Sequence, residues 1–157
     1  MDHIFKFIID SRNAFIQLVN ELSLEQLNEI PDGFNNNIIW NFGHIVVSTQ
    51  TLCYVRTGIL PDPSSIPYVS AYAKGTKPEY FVNQAEVDDL KRLAIETIET
   101  LKKDYKANRF AQIQAFNTST FHSTLHHIED VFATTVGHDN LHYGYAIAQR
   151  RVINTNK

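Results

Sequence analysis

The feature that most constrains the fold is a charge-poor stretch near the C-terminus, residues 131–149 (VFATTVGHDNLHYGYAIAQ). Its composition is helical, and its only formal charge is Asp139. His138 and His142 are four residues apart, so a helix places both imidazoles on one face, one turn from each other. That face is expected to point into the core, where polar groups need partners. A metal ion held by the two imidazoles would supply such a partner.

Length and composition predict a single globular domain over residues 1–157. Of the 157 residues, 43% are hydrophobic and 20% are charged, as is usual for soluble domains. The formal net charge of −3 argues against a nucleic-acid partner or an anionic membrane surface, and no apolar run approaches the length of a membrane span. We expect the N-terminus to form a helix, not a signal peptide. The single cysteine, Cys53, excludes an intrachain disulfide and favours a reducing cytoplasm.

Apolar periodicity predicts four helices, over residues 1–22, 36–57, 83–105 and 127–152. A capping-box pattern at Ser23 and Gln26 predicts a short helical turn after the first helix. On that first helix, the residues expected mostly on the outer side are Lys6, Asp10, Arg12 and Asn13.

Two segments of the chain are not predicted as regular structure. Residues 59–82 form a long proline-rich connection between the second and third helices, which either crosses one end of the helices or covers a pocket. Residues 106–126 fit either a short strand or an irregular return.

The second predicted helix repeats the feature of the last one. Its centre, IIWNFGHIVVSTQTL, has no formal charge, and it carries a polar strip that consists of Asn37, Asn41, His44, Ser48 and Thr51. If the polar strips of the two helices face each other, His44, His138 and His142 form one metal site. Three imidazoles leave coordination positions open, as catalytic metal sites do.

Other interpretations of the histidines stay open. Each of them could be an ordinary hydrogen-bonded core residue. A second pair, His122 and His126, lies near the start of a helix and is interpreted as a surface or capping feature, with His127 as a weaker pocket candidate. The spacing His-Asp-Asn-Leu-His also matches the zinc-protease motif His-Glu-x-x-His. However, Asp139 is shorter than glutamate, and no metal-binding side chain follows His142.

Three segments together resemble the DinB-like superfamily over nearly the whole chain: residues 40–45 (WNFGHI), 75–78 (GTKP) and 138–144 (HDNLHYG). The resemblance implies an all-α four-helix bundle, commonly dimeric, that binds a divalent metal ion through His44, His138 and His142. Characterised members of this superfamily include thiol-dependent transferases and isomerases that use bacillithiol, mycothiol or glutathione. One departure is Tyr145, which stands where the family often has glutamine.

The predicted function is that of a divalent-metal-dependent enzyme resembling a thiol-dependent transferase. One ion per chain is expected, with Zn or Ni preferred and Mn, Fe or Co as alternatives. Bound metal would lower the pKa of a small-molecule thiol substrate. The side chains expected to line the pocket are Asn41, Ser48, Thr135 and Tyr145. We expect Asp139 to support an imidazole or to bind a neighbouring helix, because it leaves the metal-binding face.

Two other functions remain open at this point. One is a metal-dependent hydrolase using metal-bound water, with Asp139 as base or with an acid such as Asp62 or Glu79 from the proline-rich connection. The other is a non-enzymatic protein that binds a metal or a small ligand. A homodimer is expected from the resemblance, supported by Gly137 and Gly144, whose mid-helix positions suggest close packing. Neither a nucleic acid nor a membrane is expected as a partner.

Overall fold

The computed structural model describes residues 1–155 and is predominantly helical, which confirms the predicted helical class. The helices are α1 (Asp2–Asn20), α2 (Leu24–Asn28), α3 (Ile38–Gln50), α4 (Val69–Tyr72), α5 (Gln84–Lys106) and α6 (Ile128–Thr155). A hairpin with strands of two residues each lies between α5 and α6. Its strand β1 (Phe116–Asn117) pairs antiparallel with β2 (Thr124–Leu125). Part of the undecided segment 106–126 is therefore a hairpin. Within the described residues, no helix has both the length and the apolar character needed to cross a bilayer.

Capping side chains set the starts of several helices close to their predicted positions. The Ser23 hydroxyl accepts a hydrogen bond from the Gln26 backbone while the Gln26 side chain accepts one from the Ser23 backbone, so the predicted capping box is present. The Asn37 side chain accepts a hydrogen bond from the backbone of Trp40 at 2.9 Å and caps α3. Asn83 caps α5 in the same way. These contacts satisfy backbone N–H groups that a helix leaves without partners in its first turn.

The regular α-helical part of the second predicted helix is shorter than its sequence pattern indicates. Regular α3 stops at Gln50, and a π-helical turn, Thr51–Val55, follows it. The Arg56 N–H donates to the Thr51 carbonyl oxygen at 2.9 Å, five residues back. Because a π-turn contains more residues than an α-turn, the residues after it face a different direction from that of a continuous α-helix.

The four long helices pack on one another through two groups of buried side chains. Helix α1 contacts α5 and α6, and α3 contacts the same two helices. One group includes Phe15 and Phe42, whose rings meet edge to face with centroids 5.0 Å apart. The other includes Phe5 and Phe132, whose rings are tilted with centroids 4.9 Å apart. Ten consecutive side-chain positions of α3, from Ile38 to Val47, are buried. This complete burial places the polar strip of α3 inside the protein.

Arg12 departs from its predicted outer position and is fully buried. Its Nε donates to Asp139 Oδ2 on α6 at 2.9 Å, one Nη donates to the Ala94 carbonyl on α5 at 2.8 Å, and the other donates to Thr49 Oγ1 on α3 at 2.7 Å. Further bonds go to Thr97 Oγ1 and the Ile45 carbonyl oxygen. All five guanidinium N–H groups thus have acceptors, and a charge satisfied in this way can be buried. Apolar periodicity alone places any arginine outside and could not predict this.

Candidate metal centre

The structure brings His44, His138 and His142 together. One ligand nitrogen from each lies within 4.8 Å of the other two. The ring centroids are 4.6 Å apart for His44 and His142, 4.6 Å for His138 and His142, and 5.3 Å for His44 and His138. His44 and His138 are buried, and His142 is partly buried. The contact between α3 and α6 therefore joins the two polar strips.

Hydrogen bonds fix the proton positions on two of the rings. His44 Nδ1 lies 2.7 Å from the carbonyl oxygen of Tyr72; because a carbonyl only accepts, Nδ1 carries the proton. The Asn41 amide nitrogen donates to Gln149 Oε1 at 3.1 Å, so its Oδ1 is the atom that faces His142 Nδ1 at 2.7 Å. His142 Nδ1 must then be a donor as well. Both rings are left with a free lone pair on Nε2, the arrangement usual for metal-binding histidines.

The His44 ring is also held by packing. The Trp40 indole stacks on it with centroids 4.7 Å apart and planes 12° apart, and the indole N–H donates to Thr76 Oγ1 at 3.1 Å. The Tyr72 ring occupies the space beside Gly43, where a Cβ would come within 2.6 Å of it. Glycine at this position lets α4 approach α3 closely enough for the Tyr72 carbonyl to reach His44.

Burial keeps the three imidazoles neutral. It lowers the pKa of His44 below its ordinary value, that of His138 to about 4, and that of His142 to about 3. Repulsion by positive charge adds to the effect of burial on the pKa: it comes from His44 and the Arg12 guanidinium for His138, and from His138 and His44 for His142. At neutral pH each ring is in the form that a metal ion requires.

The donor set fits a divalent metal with a small adjustment. Two nitrogens bound to one Zn²⁺ at about 2.1 Å are at most about 4.2 Å apart, so a pair at the 4.8 Å limit would have to approach further on binding. The Ser48 hydroxyl lies 3.0 Å from His44 Nε2 and 3.4 Å from its Nδ1. Because it is nearly equidistant from the two ring nitrogens, it does not lie along the outward lone pair of Nε2, which stays accessible to a metal.

A cavity of about 310 Å³ opens beside the three histidines. Its walls come from α3 and the π-turn, the proline-rich connection, the hairpin and α6. The connection therefore contributes to a pocket wall, through Pro63, Val69, Ala73 and Lys74. Among the described residues, no carboxylate lines the cavity, and the charged side chains that do are Arg56 and Lys74.

The polar residues predicted for the pocket have different positions. Ser48 lines the cavity, whereas Asn41 lies behind the His142 ring as its hydrogen-bond partner. Thr135 is buried, and its hydroxyl donates to the backbone of its own helix; the adjacent Thr134 lines the cavity instead. Tyr145 is 50% exposed and lies outside the cavity lining. At about 100° per residue, Thr134 lies about 40° from His138 on one side of the helix and Thr135 about 60° on the other, so helical spacing alone does not decide which of the two faces the cavity.

The acidic candidates do not reach the cavity. Asp139 is buried and accepts a hydrogen bond from Arg12 on α1. Of the two expected partners, an imidazole or a neighbouring helix, the structure therefore shows the neighbouring helix. Burial raises the pKa of its carboxyl group, and the Arg12 guanidinium opposes that rise. Asp62 is exposed and accepts hydrogen bonds from Ser64, and Glu79 is also exposed and outside the lining.

The remaining histidines lie on the surface. His126 and His127 are exposed along a separate groove between the end of α5 and the start of α6. His122 is exposed in the hairpin, in a left-handed conformation with φ 51°. The backbone N–H groups of His126 and His127 donate to Asp130. These positions agree with the interpretation of His122 and His126 as a surface or capping feature. His127, the weaker pocket candidate, lies outside the cavity lining.

Sequence reasoning did not predict the contacts that several residues make around the site. Gln149 fixes the Asn41 amide, Trp40 stacks on His44, and Arg56 enters the cavity after the π-turn. On a continuous α-helix, Arg56 would lie about 120° from His44 around the axis, so no periodicity pointed to it. Lys74 is in the proline-rich connection, where no regular pattern gives a side-chain direction.

Two comparisons with known proteins bear on the identity of the chain. No curated protein sequence matches the chain. The family model of the DinB superfamily matches residues 8–146, a range that contains all three histidines, the whole of α3 and α5, and about two thirds of α1 and of α6. The chain belongs to the DinB superfamily.

Proposed function

We propose that the protein is a divalent-metal-dependent enzyme of the thiol-transferase type, with a low-molecular-weight thiol as substrate. In this proposal α1, α3, α5 and α6 form a four-helix bundle, and the proline-rich connection covers its metal site. One observation carries the proposal: three neutral imidazoles converge on a cavity whose described lining contains no carboxylate.

Each histidine has a defined part in holding the ion. His44 and His142 present Nε2 because the Tyr72 carbonyl and the Asn41 amide occupy their Nδ1 atoms. His138 adds a third nitrogen from α6. A divalent metal here, Zn or Ni by preference, would lower the pKa of a thiol from its usual value of about 8.5 and so supply a thiolate nucleophile at neutral pH.

The composition of the cavity favours thiol activation over hydrolysis. Hydrolysis by an activated water usually needs a carboxylate or another base near the attacking oxygen. Asp139, the base considered in the hydrolase hypothesis, is fully buried against Arg12. A thiol loses its proton far more readily than water does, so it needs no such base.

Turnover by the metal-loaded protein tests this proposal. The protein would be loaded with Zn or Ni and assayed with one panel of thiols plus a chromogenic electrophile, and with a second panel of esters, amides and phosphoesters. We expect metal-dependent turnover in the thiol panel, abolished by His142→Ala and unchanged by His127→Ala, which removes an exposed histidine outside the cavity. Turnover confined to the second panel would favour a hydrolase. Silence in both panels, with metal bound, would favour a non-enzymatic metal or small-ligand binding protein.

We also propose that the protein is a homodimer that buries one face of α6. Leu141, Gly144 and Tyr145 lie three and four residues apart on that helix and are all exposed, and a Cβ at Gly144 would meet nothing within 4 Å. At Gly137, by contrast, a Cβ would come within 3.1 Å of the Phe121 ring of the same chain. Light scattering should give a dimer mass for the wild type and a monomer mass for Leu141→Lys. A monomeric wild type would contradict the proposal.

A further inference from the structure

The cavity beside the three histidines is positively charged, although the chain has a formal net charge of −3. Arg56 and Lys74 both line it. Several cationic side chains elsewhere pair with carboxylates: Arg92 binds Asp89, for example, and Arg150 binds Glu21. Within residues 1–155, neither Arg56 nor Lys74 has a carboxylate within 4.0 Å. Two cations without ion-pair partners therefore border one cavity.

Arg56 is held in place by groups that leave most of its hydrogen-bonding capacity unused. Its guanidinium lies over the Phe116 ring, 4.9 Å from the centroid, and one Nη donates to the Asn117 carbonyl oxygen at 3.2 Å. A guanidinium has five N–H donors in a planar fork that matches a carboxylate. The contacts with the hairpin use one of them, so the others remain for an acceptor in the cavity.

Lys74 is positioned by a similar contact. Its ammonium group donates to Ser119 Oγ at 2.6 Å and so links the segment after α4 to the hairpin. An ammonium group has three donors, and this contact uses one. The two cations are thus anchored to the hairpin from the π-turn on one side and from the proline-rich connection on the other.

We propose that the substrate of this site carries a carboxylate, which Arg56 and Lys74 bind while the thiol sulfur faces the three histidines. The thiol part rests on the proposed function, whereas the carboxylate part rests on the two cations. Cationic side chains without a carboxylate in the cavity lining attract anions and bind them through charge-assisted hydrogen bonds. A cavity of about 310 Å³ is at the small end of ligand pockets and suits a short thiol acid.

Calorimetry with four matched ligands separates the two parts of the proposal. The ligands are 3-mercaptopropionate, 3-mercaptopropionamide, 3-hydroxypropionate and 3-hydroxypropionamide, titrated into Zn-loaded and metal-free protein. We expect each acid to bind about tenfold more tightly than its amide, and the preference to persist without metal. Arg56→Gln and Lys74→Gln should each remove most of this preference. Lys103→Gln, which removes an exposed cation of α5 outside the cavity, should retain it.

The outcomes distinguish this inference from the proposed function. Equal affinities for acid and amide, no binding of either acid, or an undiminished preference in Arg56→Gln and Lys74→Gln would overturn the inference. A preference that requires the metal and survives both substitutions would mean that the carboxylate binds the metal, which also overturns it. If the acids are preferred but thiols bind no better than alcohols to the Zn-loaded protein, the carboxylate site stands and the thiol-based function fails.

Discussion

At the scale of single residues, the protonation state of the histidines follows from their burial beside one another. Burial and neighbouring positive charge lower the pKa of His138 to about 4 and that of His142 to about 3, from the ordinary histidine value of about 6.5. On acidification, the unfolded chain takes up protons on these side chains before the folded chain does. The contribution of these side chains to the stability of the metal-free protein is therefore fully present above about pH 6.5 and is lost as the pH falls towards the folded pKa values.

This difference predicts the pH dependence of unfolding for the metal-free protein. Replacing His138 with glutamine removes one side chain that the unfolded state protonates first. Urea midpoints between pH 7.5 and 5 should then fall less steeply for His138→Gln than for the wild type, by up to about 1 kcal/mol per pH unit in unfolding free energy. His127→Gln, at an exposed position, serves as the control and should follow the wild type. Equal slopes for all three proteins would contradict the pKa assignment.

At the scale of elements, the close approach of α4 to α3 positions His44. The Tyr72 ring lies against Gly43, and the Tyr72 carbonyl accepts the His44 Nδ1–H hydrogen bond at 2.7 Å. A side chain at position 43 would have to displace that ring, because its Cβ would come within 2.6 Å of it. The short helix in the proline-rich connection thus orients His44, which lies on a different helix.

Two glycine substitutions test this contact as a matched pair. Gly43→Ala should destabilise the protein by about 1–3 kcal/mol through overpacking and should weaken metal binding, because the Tyr72 carbonyl moves with its ring. Gly144→Ala should leave metal binding unchanged, since no group of the same chain lies within 4 Å of its new methyl group. Denaturant midpoints and metal titrations measure both effects. Unchanged metal affinity in Gly43→Ala would contradict the orienting role of α4.

Sequence patterns could predict the long helices and the grouping of the three histidines, but not the π-turn, the position of Arg56 or the hairpin. Apolar periodicity and capping residues such as Ser23 and Asn37 depend on neighbours along the chain, so the pattern locates helix starts closely. The π-turn after Gln50 has no such local signal, because residues 38–52 (IIWNFGHIVVSTQTL) remain a good helical pattern throughout. Arg56 could not be placed for that reason, and the hairpin is too short to show strand alternation.

At the scale of the whole molecule, Arg12 ties the four long helices together. It lies on α1 and donates hydrogen bonds to groups on α3, α5 and α6. Its partner Asp139 comes directly after His138, so the ion pair also anchors the part of α6 that carries His138 and His142. The acceptors of this guanidinium come from distant parts of the chain and meet only in the folded protein. No stretch of sequence near Arg12 therefore predicts its partners.

Removing this guanidinium should therefore be costly. Arg12→Met would leave the Asp139 carboxylate buried without its partner, which typically destabilises a protein by about 3–5 kcal/mol. Arg92→Met, which breaks exposed ion pairs on α5, should change the denaturant midpoint little. Asp139→Asn should cost less than Arg12→Met, because the guanidinium keeps its other acceptors. Similar midpoints for Arg12→Met and Arg92→Met would show that the buried network does not stabilise the fold.

The most direct measurement is the metal content and metal affinity of the protein purified without chelator. The wild type should bind about one divalent ion per chain, and alanine at His44, His138 or His142 should weaken binding at least about tenfold. Asp139→Asn should retain the ion, because its carboxylate faces Arg12 and not the three imidazoles. A wild-type protein that takes up none of Zn, Ni, Mn, Co and Fe, or one whose metal content is unaffected by the three histidine substitutions, would contradict the account.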